Sequence, residues 1–388
     1  MKRFLFIAVL CALVGLGACA PVTYEKQAAN LGFLESADGD LVLALNTEVD
    51  LTTVRSDTRE QLFNEAQEQV LAIHKLVDGY HRYADESGED LHNVYYLNQH
   101  FGEGPLEVDP ALIACLDEAL TMAELTKGYF NPTVGLLVDA YEGRFEHAGE
   151  VQDNPTSSAI DAARASIVPY EHLRECIVLD TQANTVELRP YKGQTFGLNV
   201  GAIGKGFALE QLAFSTDTSY MLSAGSSSIR THVVQREGDT SWSVAAHEPD
   251  STDMLFAFQL DDASLSASGD DESYYLLADG TRVSHILNPF TGYSENYWRN
   301  VIVVGDKAGV LDALSTALFN VEDEDQILDT IHAVEEHYGM TIDYCFVQNE
   351  EGGTYMLSGN EGFLNRMLPE YMSDKLNPRM YIFGEGGE

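Results

Sequence analysis

The chain is short of positive charge. Its 388 residues hold 22 lysines and arginines against 62 aspartates and glutamates, a formal net charge of −40. Such a surface repels phosphate backbones and anionic headgroups, which excludes nucleic acid as a partner. A phosphorylated ligand would need a local positive device. Cysteine is scarce too. Once Cys11 and Cys19 near the start are set aside, Cys115, Cys176 and Cys345 remain. An odd number at wide spacing excludes a disulfide framework and a zinc pattern, and their apolar neighbours predict buried free thiols. Long hydrophobic runs are limited to one, "FLFIAVLCALVGLG" at residues 4–17. It is too short to span a bilayer comfortably as a mature helix.

That run follows Lys2 and Arg3 and ends in "LGAC" at residues 16–19. Small residues before a cysteine form the pattern of a bacterial lipoprotein signal. This predicts a signal peptide at 1–18, lipidation of Cys19 and a tether at 19–32. An ordinary secretory signal cut after Ala20 is the alternative.

The remaining residues, 33–388, are expected to form one domain without internal repeats. "DLVLALNTEVDLTTV" alternates as strands do. "TREQLFNEAQEQVLAIHKLVDGYHRYA" predicts one long amphipathic helix, with Leu62, Ala66, Val70, Ile73 and Val77 at helical spacing. Residues 110–142 predict a helix stopped near Gly128, a turn at Asn131-Pro132 and a second helix. "CIVLDTQANTVELRP" predicts a hairpin, and "GKGFALEQLAF" a helix after a glycine-rich bend. Strand signals dominate from 220 to 304. Two more helices, "KAGVLDALSTALFNV" and "EDQILDTIHAVEEHYG", precede a last strand, "TIDYCFVQ". Helices and strands mix without strict alternation, which predicts an α+β fold.

Three stretches carry candidate chemistry. In "LNVGAIGKGFA" glycines permit close backbone approach, and Lys205 supplies positive charge where a helix is expected to begin. The spacing is neither a Walker loop nor a dinucleotide fingerprint, and taken alone the stretch reads better as a structural turn. In "LDALSTALF" Asp312 and Thr316 are four apart and share a helix face. A carboxylate and a hydroxyl there suit a hard cation such as Mg²⁺; a surface Asp with a self-bonded Thr is the alternative. "SASGDDESYY" and "VSHILNPFTG" bring His285, an acid–base candidate, to an Asn-Pro turn. The pair His332 and His337 is no zinc motif: five residues apart, they point about 140° from each other around a helix.

The ordered set "GAIGKG", "SG…HILNPFTG" and "DALST" resembles the FAD:protein FMN transferases, the ApbE-type flavin transferases. "TKGYFNPTVGLLVDAY" and "HRYADESGEDLHNVYYLN", which ends in Asn98, resemble other segments of that family. The likeness runs from about Thr47 to Phe319. It implies an α+β fold around an FAD cleft. FAD would be the substrate, Mg²⁺ the cofactor and His285 the catalytic residue. Asp312, Thr316 and the backbone carbonyl near Ala202 would hold the metal. Leu45, Tyr83, Tyr129, Phe130, Asn131, Asn199, Lys205 and Leu287 would bind FAD. The expected reaction moves FMN to a Thr or Ser hydroxyl of an acceptor protein and releases AMP. Acceptors would be flavoprotein subunits of membrane redox complexes. The enzyme would be anchored by lipid to the inner membrane, on its periplasmic side. Three departures from the family pattern stand out: "SAGSSSI" at 223–229, Asn288 where Asp is frequent, and "LNT" at 45–47. An FAD-binding lipoprotein, or a pyrophosphatase giving FMN and AMP, is the alternative.

Overall fold

The computed structural model describes residues 26–27, 33–53, 59–85, 87–141, 143–145, 148–234, 241–350, 352–377 and 381–383. Most of the expected signal peptide and tether, with Cys19, lies outside them. Nine strands form the central sheet, in spatial order Lys26–Gln27, Val49–Thr53, Tyr220–Ala224, Ser228–His232, Ser264–Gly269, Asn300–Gly305, Asp343–Glu350, Thr354–Gly359 and Tyr381–Ile382. Neighbours are antiparallel except the last pair. The chain is α+β, as its pattern predicts.

The sheet is buried on both faces, and the residues alternate accordingly. Val301 and Val303 face one core while Ile302 and Val304 face the other. Tyr344 and Phe346 are divided from Cys345 and Val347 in the same way. The first core is closed by the helices Arg59–Val77, Pro110–Leu125, Gly201–Glu210 and Ala308–Phe319. The second is closed by the hairpin Trp242–His247 with Met254–Leu260. Every residue of Ala308–Phe319 except Thr316 is buried, so this helix runs through the interior. Cys115, Cys176 and Cys345 are buried free thiols.

Three expectations are corrected. The first long helix ends at Val77, because Asp78 Oδ1 accepts the amides of Tyr80 and His81 and turns the chain out. The glycine-rich stretch is not a bend before a helix but the helix itself, Gly201–Glu210, and Lys205 is its fifth residue. Its glycines serve packing: a methyl on Gly206 would collide with the Ala308 carbonyl and lie 2.8 Å from Asp312 Cβ. "TIDYCFVQ" is followed by two more strands of the same sheet.

Glu118 meets the start of the interior helix, where a methyl on Gly309 would collide with Glu118 Oε1. That oxygen is buried without a hydrogen-bond partner. Burial, and then the nearby Glu210, push the carboxyl from 4.5 up to about 7. The folded state therefore favours the protonated form. This stabilisation is complete below about pH 4.5 and is lost as pH rises through 7. Denaturant melts at pH 5 and 8 check this. The Glu118→Gln protein should lose less stability across that interval than the parent, by on the order of 1–2 kcal/mol. Equal losses would acquit Glu118.

Candidate active site

A cleft of about 530 Å³ opens where the ends of Gly201–Glu210 and Ala308–Phe319 meet the sheet, within the size range of small-ligand sites. At its floor is Asp312, 5% exposed. Its Oδ2 accepts the amide of Gly206 at 2.9 Å. Its Oδ1 takes hydroxyls of Ser266 at 3.2 Å and Ser228 at 3.4 Å. A regular helix would point the Gly206 amide at the carbonyl of Ala202, so carboxylate and carbonyl lie about the same donor. Thr316 stands one turn beyond Asp312, 3.4 Å from Ser268, which bonds Ser315 at 2.9 Å. Burial raises the Asp312 pKa, and the Lys205 ammonium offsets part of that rise. The surface-carboxylate alternative for Asp312 is thereby overturned.

Lys205 reaches over this floor and donates to Ser227. Its charge acts on Asp312, on His285 and on Glu272. His285 stands on the cleft wall with its ring open to the cleft solvent. Its Nδ1 lies 3.2 Å from the Ser273 carbonyl, which also accepts the His285 amide at 2.9 Å. A carbonyl only accepts, so Nδ1 carries the proton and Nε2 keeps a lone pair. The protein around the cleft wall, which partly desolvates the ring, and then the Lys205 charge lower the imidazole pKa below its ordinary value. The ring is neutral at physiological pH.

The turn after His285 is rigid. Asn288 Oδ1 accepts the Phe290 amide and Asn288 Nδ2 donates to Glu295, both at 2.9 Å. Pro289 fixes its own φ. Gly292, at φ 78°, closes back on the Asn288 carbonyl, and the Tyr141 hydroxyl holds the Gly292 carbonyl at 3.0 Å. Leu287 lines the cleft just beside this turn.

Three further segments line the cleft. Leu45 and Asn46, at φ 53° and 55°, form a tight turn pinned by the Leu45 amide on His74 Nδ1 at 3.0 Å. Tyr129, Phe130 and Asn131 follow Gly128 and also line the cleft. The Asn131 side chain is spent on the fold, donating to the Val168 carbonyl and accepting from Thr133. Gly135 and Gly197 let the next segment cross at van der Waals limits, with the Gly135 amide on the Gly197 carbonyl at 2.9 Å. This places Asn199 nearby, its Oδ1 on the Gly201 amide and its Nδ2 on the Tyr80 hydroxyl. Asn98 braces that segment through both backbone groups of Leu198.

The structure thus gathers Leu45, Tyr129, Phe130, Asn131, Asn199, Ala202, Lys205, His285, Leu287, Asp312 and Thr316 around one cleft. Tyr83 is the exception. It is 1% exposed, and its hydroxyl donates to the buried Asp78 at 2.8 Å. The tyrosine that faces the cleft from this loop is Tyr80. Sequence reasoning also missed the seryl cluster of Ser228, Ser266, Ser268 and Ser315. A signal was present: "SLSAS" puts serines at every second position, hence on one face of a strand.

Among the described residues no group of three or more His, Cys, Asp or Glu could hold a metal. What the cleft floor offers is one buried carboxylate with neutral hydroxyl and carbonyl oxygens. That set fits a hard divalent cation such as Mg²⁺, and a cation there would supply counter-charge that Lys205 only partly provides.

Solved structures of flavin transferases share this fold. The ApbE protein of Thermotoga maritima aligns with a TM-score of 0.67 at 24% identity, covering 89% of this chain and 100% of that one. Flavin transferase ApbE from Vibrio cholerae aligns at 0.62 and 20% identity, with coverage of 89% and 100%. The ApbE family model matches residues 45–339, and the chain belongs to the ApbE family. Its relatives include the FAD:protein FMN transferase of Treponema pallidum, 25% identical over 332 residues, 80% of this chain and 83% of that protein. The FAD:protein FMN transferase of Haemophilus influenzae is 27% identical over 256 residues, 64% and 69% of the two chains.

Proposed function

We propose that this chain is an FAD:protein FMN transferase that uses Mg²⁺, moves FMN from FAD to a Thr or Ser hydroxyl of an acceptor protein and releases AMP. The family and the shared name of its relatives support the transferase activity. The observation that carries the finer reading is the convergence of Asp312, Lys205 and a neutral His285 in one cleft. Asp312, Thr316 and the Ala202 carbonyl would hold the metal. Bound there, Mg²⁺ supplies Lewis-acid polarisation of a phosphoryl oxygen. Lys205 neutralises the pyrophosphate, which the protein's overall charge would otherwise repel. Leu45, Tyr80, Tyr129, Phe130 and Leu287 offer apolar and aromatic surface to the flavin.

The transfer balances without an added reactant. The acceptor oxygen forms a bond to the FMN phosphorus, and the bridging P–O bond breaks. Its electron pair leaves with AMP, and the hydroxyl proton passes to His285 Nε2. A proton acceptor whose pKa is lowered below the ordinary imidazole value is a weak base. Its contribution rests on being neutral, oriented by Ser273 and close, rather than on strength.

We further propose that Cys19 is lipidated, placing the enzyme on the periplasmic side of the inner membrane beside acceptor subunits of redox complexes. "LGAC" after the apolar run supports this. Cys19→Ser should then move the protein from the membrane to the soluble fraction, and a variant still attached would refute lipidation there.

For the chemistry, the test is His285→Asn assayed for FAD binding and for flavin transfer in parallel. FAD affinity should stay near the parent's, because Lys205, the metal ligands and the aromatic wall remain. Transfer should fall about 10²- to 10⁴-fold. A folded, FAD-saturated variant that transfers at the parent rate would remove His285 from the mechanism.

A further inference from the structure

The cleft does not end at His285. It continues along Val244, Ala245, Ala246 and His247, four consecutive residues of the strand Trp242–His247. Side chains of a strand alternate between its faces. A cavity that meets four residues in a row reaches the strand's edge as well as the inner face, where it also touches Phe258 of the partner strand. This strand pairs on one side with Met254–Leu260. Among the described residues, none pairs with its other edge from Ser243 to His247. The far edge of its partner is covered: Leu368 and Ser373 donate their amides to the carbonyls of Ala257 and Leu255 at 2.9 and 2.8 Å. Among the described residues one edge of the hairpin is sealed and the other meets the cleft.

Open edges invite strand addition, and proteins usually guard them with charge or proline. "WSVAAH" has neither, although 22% of the whole chain is charged. Its small residues leave room beside the backbone. Two polar atoms along the same stretch of cleft, His247 Nε2 and Asn300 Oδ1, are buried without hydrogen-bond partners. His247 Nδ1 donates to the Thr252 carbonyl at 3.0 Å, so its Nε2, like Asn300 Oδ1, is an acceptor, and two free acceptors suit the amides of a peptide backbone.

We propose that the open edge from Ser243 to His247 docks the acceptor polypeptide, which adds to the hairpin as an extended strand and so delivers its hydroxyl toward His285. The proposal rests on the transfer reading above, which requires a polypeptide to enter this cleft. The edge is continuous with the site where its hydroxyl must arrive. Main-chain pairing provides affinity with little demand on sequence, and the alternate side chains provide selectivity. Four residues of strand span about 13 Å, enough to fix a segment's direction across the cleft.

In an antiparallel pair, adjacent residues turn their amides alternately toward and away from the partner. Hence one of Ala245 and Ala246 presents its amide to the open edge. Proline there removes a docking donor while leaving the hairpin bonds intact. The test uses Ala245→Pro and Ala246→Pro with full-length protein, FAD and Mg²⁺. The probe is a pool of nonapeptides with a central Thr and randomised flanks. Thermal stability, FAD affinity, AMP release and peptide-bound flavin are measured together. In the variant that keeps the parent's stability and FAD affinity, peptide labelling should fall by about tenfold or more.

A folded variant of each kind labelling at the parent rate would overturn the edge. If neither variant folds, a labelled peptide from the pool is resynthesised with single N-methylated amides. Strand addition predicts losses at every second position. Uniform tolerance, or loss at every position alike, would overturn it. A parent that releases AMP from FAD but labels no peptide would overturn the transfer reading itself, and this proposal with it.

Discussion

The site is built around a carboxylate placed where a carboxylate is costly. Asp312 sits on a helix whose other residues, Thr316 apart, are equally buried. Burying an ionised group without partners is strongly unfavourable. The fold answers with the Gly206 amide, the hydroxyls of Ser266 and Ser228, and the Lys205 ammonium nearby. Each of these imposes a further constraint. Gly206 must lack a side chain so that its helix can lie against Ala308 and Asp312. Ser266 must face the helix, which fixes the register of Ser264–Gly269 against Asn300–Gly305. Removing the carboxylate would therefore leave several buried donors unsatisfied, at about 1–3 kcal/mol for each.

The same arrangement reconciles a strongly acidic protein with an anionic substrate. Net charge acts at long range and is screened by salt over about 8–10 Å. Inside the cleft a single lysine influences three groups of different kind: it eases the ionisation of Asp312 and Glu272 and opposes the protonation of His285. A protonated His285 and Lys205 side by side would repel each other. A neutral imidazole avoids that cost and leaves its lone pair available. The long-range repulsion is thus met by local geometry: a floor whose oxygens would suit a cation, an ammonium above it and a proton acceptor held by a backbone carbonyl.

Much of this is legible in the sequence because the critical spacings are local. Asp312 and Thr316 belong to one helix turn, and "HILNPFTG" carries its own rigid turn. What cannot be read depends on partners distant in sequence. Asp312 looks like a surface residue until Pro110–Leu125, the sheet and Gly201–Glu210 enclose it. Tyr83 and Tyr80 are both near a glycine and a histidine in the chain; only the hydrogen bonds of Asp78 decide which ring turns inward. The glycines of "GAIGKG" suggest a flexible bend because glycine permits one. Their use here is close helix packing, which requires a neighbour some hundred residues away. The edge from Ser243 to His247, unpaired among the described residues, is of the same kind, since an edge is a property of the assembled sheet.

The central claim is that the Asp312 floor and the pyrophosphate of FAD share a divalent cation. Calorimetric titration of FAD with and without Mg²⁺, on the parent and on Asp312→Asn, tests it most directly. The substitution keeps the shape of the side chain and an oxygen that can accept the Gly206 amide, so folding should survive. The account predicts that Mg²⁺ tightens FAD binding by the parent about tenfold or more and leaves the variant's affinity unchanged. Equal tightening by Mg²⁺ in both proteins would contradict it.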